Sequence, residues 1–180
     1  MMRHFIVLLL AIFIATVSGC SGVSAKTDRR STGTQVEDDT IESKSTTRIL
    51  EKYKEAAQIT VTSYNRFVLI TGTVPSPDIK TNIERIVYSV PNVKKIADEV
   101  SVGAFPTSSS HRTDASITRD IKSGIGKSKA LQSVTMKVVT ERGIVYLIGL
   151  VTHAEADVSS EIASTTSDVK KVVRVFEYID

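Results

Sequence analysis

The stretch ITVTSYNRFVLITGTV at residues 59–74 has a counterpart at 136–151, MKVVTERGIVYLIGLV. Gly72 falls where Gly149 does, and Asn92-Val-Lys-Lys95 parallels Asp168-Val-Lys-Lys171 with one residue of slippage. Two copies are too few for a solenoid, whose repeats need at least three stacked neighbours to bury their faces. The sequence therefore predicts two tandem units of one design.

Each unit reads the same way. Ile59 and Val61 alternate with threonines, and Val134, Met136 and Val138 alternate likewise, the period-two pattern of a half-buried strand. A turn follows, Tyr64-Asn-Arg66 in one copy and Glu141-Arg-Gly143 in the other. The first turn lacks glycine, but asparagine tolerates left-handed backbone angles. Phe67–Val74 and Ile144–Val151 are almost continuously apolar, as the buried centre of a sheet would be. Ser76-Pro77 then places a cap before a proline at the first helical position, and Thr152-His-Ala-Glu155 has the form of a capping box. Ile79, Ile83, Ile86, Val87 and Val90 make one apolar stripe, and Ala154, Val158 and Ile162 another. A last strand closes each unit near Lys95–Val102 and Lys171–Ile179. A further helix precedes each hairpin, with Asp39 capping the first, which runs to about Lys54, and Asp114 capping the second. The expected unit is helix–strand–strand–helix–strand, an α+β layer with two helices on one face of a three-stranded sheet.

Residues 1–19 have the layout of a signal peptide: Arg3, then an apolar run from Phe5 to Val17. That run falls short of the ~20 apolar residues a membrane-spanning helix needs. Val17-Ser-Gly-Cys20 resembles the lipobox of bacterial lipoproteins, which implies cleavage before Cys20 and lipid modification of that residue. Ser21 in the following position then favours the outer membrane. Cys20 is the single cysteine, so no disulfide within the chain is available and the fold must rest on its core. Each buried methylene contributes ~0.8 kcal/mol, so a triacylated Cys20 would be a permanent tether. The expected organisation is 1–19 signal peptide, 20–38 lipidated cysteine and tether, 39–102 first unit, 103–113 linker and 114–180 second unit. Without Arg3, the 23 basic side chains become 22 against 20 acidic ones, which is no nucleic-acid footprint.

Enzyme and metal chemistry find no support in the motifs. Gly124-Ile-Gly-Lys-Ser-Lys129 ends like a phosphate-binding loop, but that loop needs a glycine five residues before Gly126, where Ile121 stands. The residues before it read as a helix that is ending. His111 falls in the expected linker and His153 at a helix start, neither with a second ligand at metal spacing. Glu155, Asp157 and Glu161 read as a solvated helix face, and His153 beside Glu155 as helix-start chemistry. No catalytic residue, metal or cofactor is expected.

The stretches Asp28-Arg-Arg-Ser-Thr-Gly-Thr-Gln-Val-Glu-Asp-Asp39, Ile59–Tyr64, Val138–Gly143 and Leu147–Thr152 resemble the BON domain. From Cys20 nearly to Asp180 the chain is similar to dual-BON outer-membrane lipoproteins. The resemblance implies a protein held in the outer membrane, facing the periplasm, that binds anionic phospholipid through its second domain. It also implies support of outer-membrane integrity and links to cell division and β-barrel assembly, with the first domain a spacer and protein-contact surface. In such relatives the first helix of the second domain faces lipid. Helical geometry places Ile117, Ile121, Gly124 and Ile125 on one side of that helix, toward the sheet. Ser116, Arg119, Lys122 and Ser123 lie opposite, with Lys127 and Lys129 just beyond, and cations there would meet lipid phosphates at ~1 kcal/mol each. Relatives can carry a tryptophan at the position of Ser116, so here binding would be more electrostatic. The alternative is a protein-interaction scaffold for envelope machinery, with incidental lipid contact.

Overall fold

The computed structural model describes residues 28–180. The expected signal peptide, Cys20 and the start of the expected tether lie outside the described residues. The chain order is α1 (Thr32–Tyr53), β1 (Gln58–Tyr64), β2 (Phe67–Val74), α2 (Pro77–Tyr88), β3 (Lys95–Val102), α3 (Ser108–Lys127), β4 (Met136–Glu141), β5 (Ile144–Val151), α4 (His153–Ser164) and β6 (Lys171–Tyr178). Short 3-10 turns follow α1 and α3. Each sheet places its most apolar strand in the middle, in the orders β1-β2-β3 and β4-β5-β6. The hairpin pair is antiparallel, and the strand returning after the helix runs parallel. The duplicated α+β unit is thus the one the sequence implies.

Both leading helices start earlier than expected. Ser31, not Asp39, caps α1, its hydroxyl accepting from the Thr34 amide. Thr107, not Asp114, caps α3 by accepting from the Ser110 amide. Residues 32–38 of the supposed tether and 108–113 of the supposed linker are therefore helical, and His111 sits on α3. The buried aspartates do different work. Asp38 lies inside α1 and accepts the Ser63 hydroxyl at 2.6 Å and the Asn65 and Arg66 amides at 2.8 and 2.7 Å. Asp114 accepts the Arg142 and Gly143 amides, both at 2.8 Å. Each holds the tip of its own hairpin, where free amides would otherwise be buried without partners.

Those tips are two-residue turns, with Tyr64 pairing with Phe67 and Glu141 with Ile144. Both central residues take positive φ, 52° and 67° at Asn65 and Arg66, 54° and 79° at Arg142 and Gly143. Hairpin turns of this kind match the twist of the strands they join. Arginine is strained at φ 67°, since a Cβ in that region costs ~1–2 kcal/mol. Arg66→Gly should raise stability by about 0.5–1 kcal/mol, the freer unfolded glycine offsetting part of the relief. The cost of losing the half-buried 3.5 Å approach to Glu37 is small, because at that distance the Arg66 Nε makes no hydrogen bond there. A lower melting temperature for this variant would show that the Arg66 side chain outweighs its backbone strain. Gly72 has another reason to be glycine: at φ +124° its Cβ would fall 2.0 Å from the Gln58 carbonyl oxygen on the paired strand.

Two cores fill the space between helices and sheets. In the first unit Ile41 and Ile49 of α1 and Ile83 and Val87 of α2 pack on Val68, Ile70 and Val74. In the second, Ile117, Ile121 and Ile125 of α3 pack on Val145, Leu147 and Val151. On α4 the expected Ala154 is exposed, and the buried side chains are Ala156, Ser159, Ser160 and Ala163. Small residues let α4 lie close to its neighbours, with the longer Val158 and Ile162 at the edge of the core. Gly124 belongs to the same close approach, since a Cβ there would meet Ile162 at 2.7 Å.

A third cluster joins the units. The sheet faces not covered by helices pack on each other, burying Tyr64 and Leu69 against Tyr146, Ile148 and Val175. Alternation requires this division: Val68 and Ile70 point to the helices, while Leu69 between them points to the other sheet. Polar contacts ring the seam. Lys137 bonds Glu42 at 2.6 Å and the Ser63 carbonyl at 3.0 Å. Tyr64 donates to the Thr135 carbonyl at 2.9 Å, and Asn65 to Glu177 at 2.8 Å. At the opposite end the Arg142 guanidinium donates to the Ala104 carbonyl. The hairpin of each unit thus lies at the far strand ends of the other.

Candidate phospholipid interface

The expected lipid-facing residues form one side of α3 and the turn after it. Ile117, Ile121 and Ile125 are buried on the other side. Ser116 is half-buried, whereas Arg119, Lys122, Ser123, Lys127 and Lys129 are exposed. Arg119 donates to the Ser116 hydroxyl at 2.8 Å and lies 3.6 Å from Asp120, with 74% of its side chain exposed. Such an exposed pair is worth little, so Arg119 keeps most of its attraction for an outside anion. Among the described residues Lys122, Lys127 and Lys129 take part in no ion pair. Lys127 and Lys129 sit where α3 ends, the Ser128 amide closing on the Gly124 and Ile125 carbonyls. Cations suit that end because the last helical carbonyls are unsatisfied and partially negative. A phosphate-binding loop needs the opposite pole, so the Gly124–Lys129 stretch serves surface charge rather than a nucleotide.

No local pattern in the sequence marked the junction by which the N-terminal segment is fastened. Arg29 reaches the Leu150 carbonyl at 2.8 Å and grips both oxygens of Glu155 at 2.7 and 2.8 Å. That bond holds the Glu155 carboxyl below its ordinary range. Glu155 also accepts from the Thr152 amide, completing the predicted capping box of α4. Arg30 pairs with Asp28 at 2.7 Å and Asp38 at 2.8 Å, and its guanidinium lies 3.9 Å from the Tyr64 ring centre. The N-terminal segment is therefore fastened to both units, beside Tyr64 and Thr135. Thr135 precedes β4 just after α3 has ended, so Asp28 and the Lys127–Lys129 end of α3 share one end of the second unit.

His153 is the first residue of α4, the helix start expected of it. Its ring Nδ1 also lies 2.8 Å from Asp180 and the ring stacks on Tyr178 at 4.0 Å, so it fastens the C-terminus as well. Among the described residues no three His, Cys, Asp or Glu side chains are grouped to hold a metal. None of the described helices is long and apolar enough to cross a membrane. An open groove of about 540 Å³ runs beside α3, and Asp114, Arg119, Lys122 and Glu141 are among the residues that line it.

Two mixed three-stranded sheets, each roofed by two helices and joined in tandem, define a duplicated BON-domain protein. The BON-domain family pattern matches residues 37–104 and 113–180, and the chain belongs to that family. It is 34% identical over 171 residues to the outer membrane lipoprotein DolP of Haemophilus influenzae, covering 93% of this chain and 89% of that protein. It is 32% identical over 154 residues to the 21 kDa hemolysin of Actinobacillus pleuropneumoniae, covering 84% of this chain and 79% of that protein. A solved C-terminal domain of CdsD, a structural protein of the type III secretion system of Chlamydia trachomatis, matches at 15% identity and TM-score 0.28. It covers 80% of this chain and 64% of that one, a similarity too slight to bear on function.

Proposed function

We propose that this protein is a lipid-anchored, non-enzymatic component of the outer membrane, facing the periplasm, in which α3 contacts anionic phospholipid. Similarity to an outer membrane lipoprotein over nearly the whole chain supports the location. The observation that carries the lipid reading is the exposed cationic side of α3, ending where the N-terminal segment is fastened. A lipid on Cys20 would bring that end of the second domain toward the bilayer. A triacylated anchor would hold the chain by itself, so the basic side of α3 would set how the second domain meets the bilayer rather than whether the chain stays there.

Co-sedimentation of residues 21–180 with vesicles tests this. Binding should be stronger to phosphatidylglycerol-containing vesicles than to phosphatidylcholine alone. Replacing Arg119, Lys122, Lys127 and Lys129 together by Gln should weaken it by more than about tenfold at low salt, at ~1 kcal/mol per cation. Equal binding to both vesicle types, or no loss in the fourfold variant, would remove the lipid reading. Tyr88, 72% exposed at the end of α2, favours a second reading, a scaffold that docks envelope proteins through the first domain. Under that reading Tyr88→Ala removes co-purifying β-barrel assembly or division proteins while leaving vesicle binding unchanged.

A further inference from the structure

The two domains are copies, so each position in one has a counterpart that shows what the other lacks. Ser31 and Thr107 are matching caps, and Asp38 and Asp114 are the matching aspartates that hold the hairpins. Tyr64 and Glu141 both end the first strand of their hairpin. Arg30 and Pro106 each directly precede the cap. In the first domain these positions form a closed knot: the Arg30 guanidinium lies against the Tyr64 ring and 2.8 Å from Asp38. In the second domain Pro106 offers no cation and Glu141 no ring.

What remains there is the groove beside α3. Asp114 is 6% exposed and accepts two amides, against the four hydrogen bonds of Asp38, one of them from Arg30. Glu141 is half-buried and, among the described residues, has no hydrogen-bond or ion-pair partner through its carboxylate. Burial, then the nearby Asp114 charge, pushes its carboxyl up. The groove thus holds two carboxylates, at the positions of Asp38 and the Tyr64 ring, with no counterpart of the Arg30 guanidinium between them. The charges of His111 and Arg142 offset part of the rise at Glu141. Arg119 and Lys122 line the same groove, with His111 at its rim. A simple cation would leave those groups unused, and a simple anion would meet the carboxylates.

We infer that this groove binds a phosphoethanolamine headgroup, its ammonium toward Glu141 and Asp114 and its phosphate toward Arg119 and Lys122. This rests on the reading that α3 faces lipid, and it adds a headgroup preference to that reading. A primary ammonium donates hydrogen bonds to carboxylates, whereas the methylated nitrogen of choline has no N–H to donate. The site therefore distinguishes phosphatidylethanolamine from phosphatidylcholine, apart from the attraction of the outer cations for anionic lipid.

Vesicles with a fixed phosphatidylglycerol fraction, the remainder either phosphatidylcholine or phosphatidylethanolamine, test it with residues 21–180. Phosphatidylethanolamine should tighten binding about threefold, the scale of one partly exposed ion pair. Glu141→Gln should abolish that increment and keep the phosphatidylglycerol dependence. The double variant Pro106→Arg with Glu141→Tyr rebuilds the first domain's knot in the second and should abolish it too. Unchanged melting curves identify the folded variants. Free phosphoethanolamine, but not phosphocholine, should compete for the increment, which assigns it to the headgroup rather than to vesicle packing. An equal increment in Glu141→Gln, or none in the parent, overturns the inference. So does Glu141-dependent binding of an arginine peptide that phosphoethanolamine does not displace. Loss of phosphatidylglycerol dependence in the parent instead defeats the underlying lipid reading.

Discussion

Asp38→Ala is expected to lower stability by about 3–5 kcal/mol, the scale of breaking a buried charge pair and stranding its partners. The residue is fully buried and accepts from Arg30, the Ser63 hydroxyl and two turn amides. Alanine leaves those amides without a partner and the covered Arg30 head with Asp28 alone. Asp114→Ala should cost less, about 2–3 kcal/mol, because two amides and no guanidinium lose their acceptor. At roughly 2–4 °C per kcal/mol for a chain of this size, the first loss exceeds about 6 °C in Tm. Burial alone would raise the Asp38 carboxyl, but the Ser63 hydroxyl, the Arg66 amide, Arg30 and the Asn65 amide together hold it below its ordinary 3.8. A folded value below the unfolded one adds stability above pH ~4 that fades as pH falls further. Asp38→Ala should therefore also flatten the acid limb of the stability profile. A variant within about 1 kcal/mol of the parent, with its acid limb intact, would show that the hairpin does not depend on this carboxylate.

The repeat made the unit legible, because alternation, turn and cap chemistry agree in both copies. Ser76-Pro77 and Thr152–Glu155 mark helix starts in the sequence and begin α2 and α4 in the structure. Asp39 and Asp114 misled because an acidic residue before an apolar run looks the same whether or not it caps a helix. The amides that Asp38 and Asp114 serve lie 27 residues away at Asn65 and 28 at Arg142, beyond any local pattern. The side of α3 carrying Arg119 and Lys122 followed from helical periodicity alone. The groove beside it did not, since its lining joins α3 to Thr140 and Glu141 of β4 and to Thr60 of the other unit, segments distant in the sequence. The sheet-to-sheet contact was not expected, although a strand as continuously apolar as Ile144–Val151 has two faces to cover, and two helices cover only one.

Leu69→Asp should separate the domains rather than unfold either one. Leu69 is fully buried, yet its neighbours Val68 and Ile70, not Leu69 itself, fill the core of the first domain. A carboxylate at position 69 would lie between two apolar sheets, opposite the Tyr146, Ile148 and Val175 cluster, at a cost of several kcal/mol if it stayed covered. Opening the seam is the cheaper response, because it hydrates the charge and leaves both helix-covered cores intact. Val68→Asp places the same charge inside a core and should unfold the first domain. The tyrosines report the difference. Burial, then the Asp28 charge, pushes the Tyr64 phenol up to about 12; burial, then the Glu99 charge, does the same for Tyr146. The folded state thus favours the neutral phenols, and their contribution to stability, complete below pH ~10, fades as pH rises toward ~12. In Leu69→Asp the tyrosinate absorbance should appear nearer pH ~10, the ordinary phenol range, and melting should resolve into two transitions. A single parental transition with unchanged tyrosine titration would mean the seam tolerates a charge. Because Arg29 holds Glu155 in one domain while Arg30 holds Asp38 in the other, the seam also fixes how α3 is aimed relative to the N-terminal segment. Separation should therefore weaken vesicle binding of the lipid-anchored chain more than that of residues 21–180, whose α3 can meet a bilayer in any orientation.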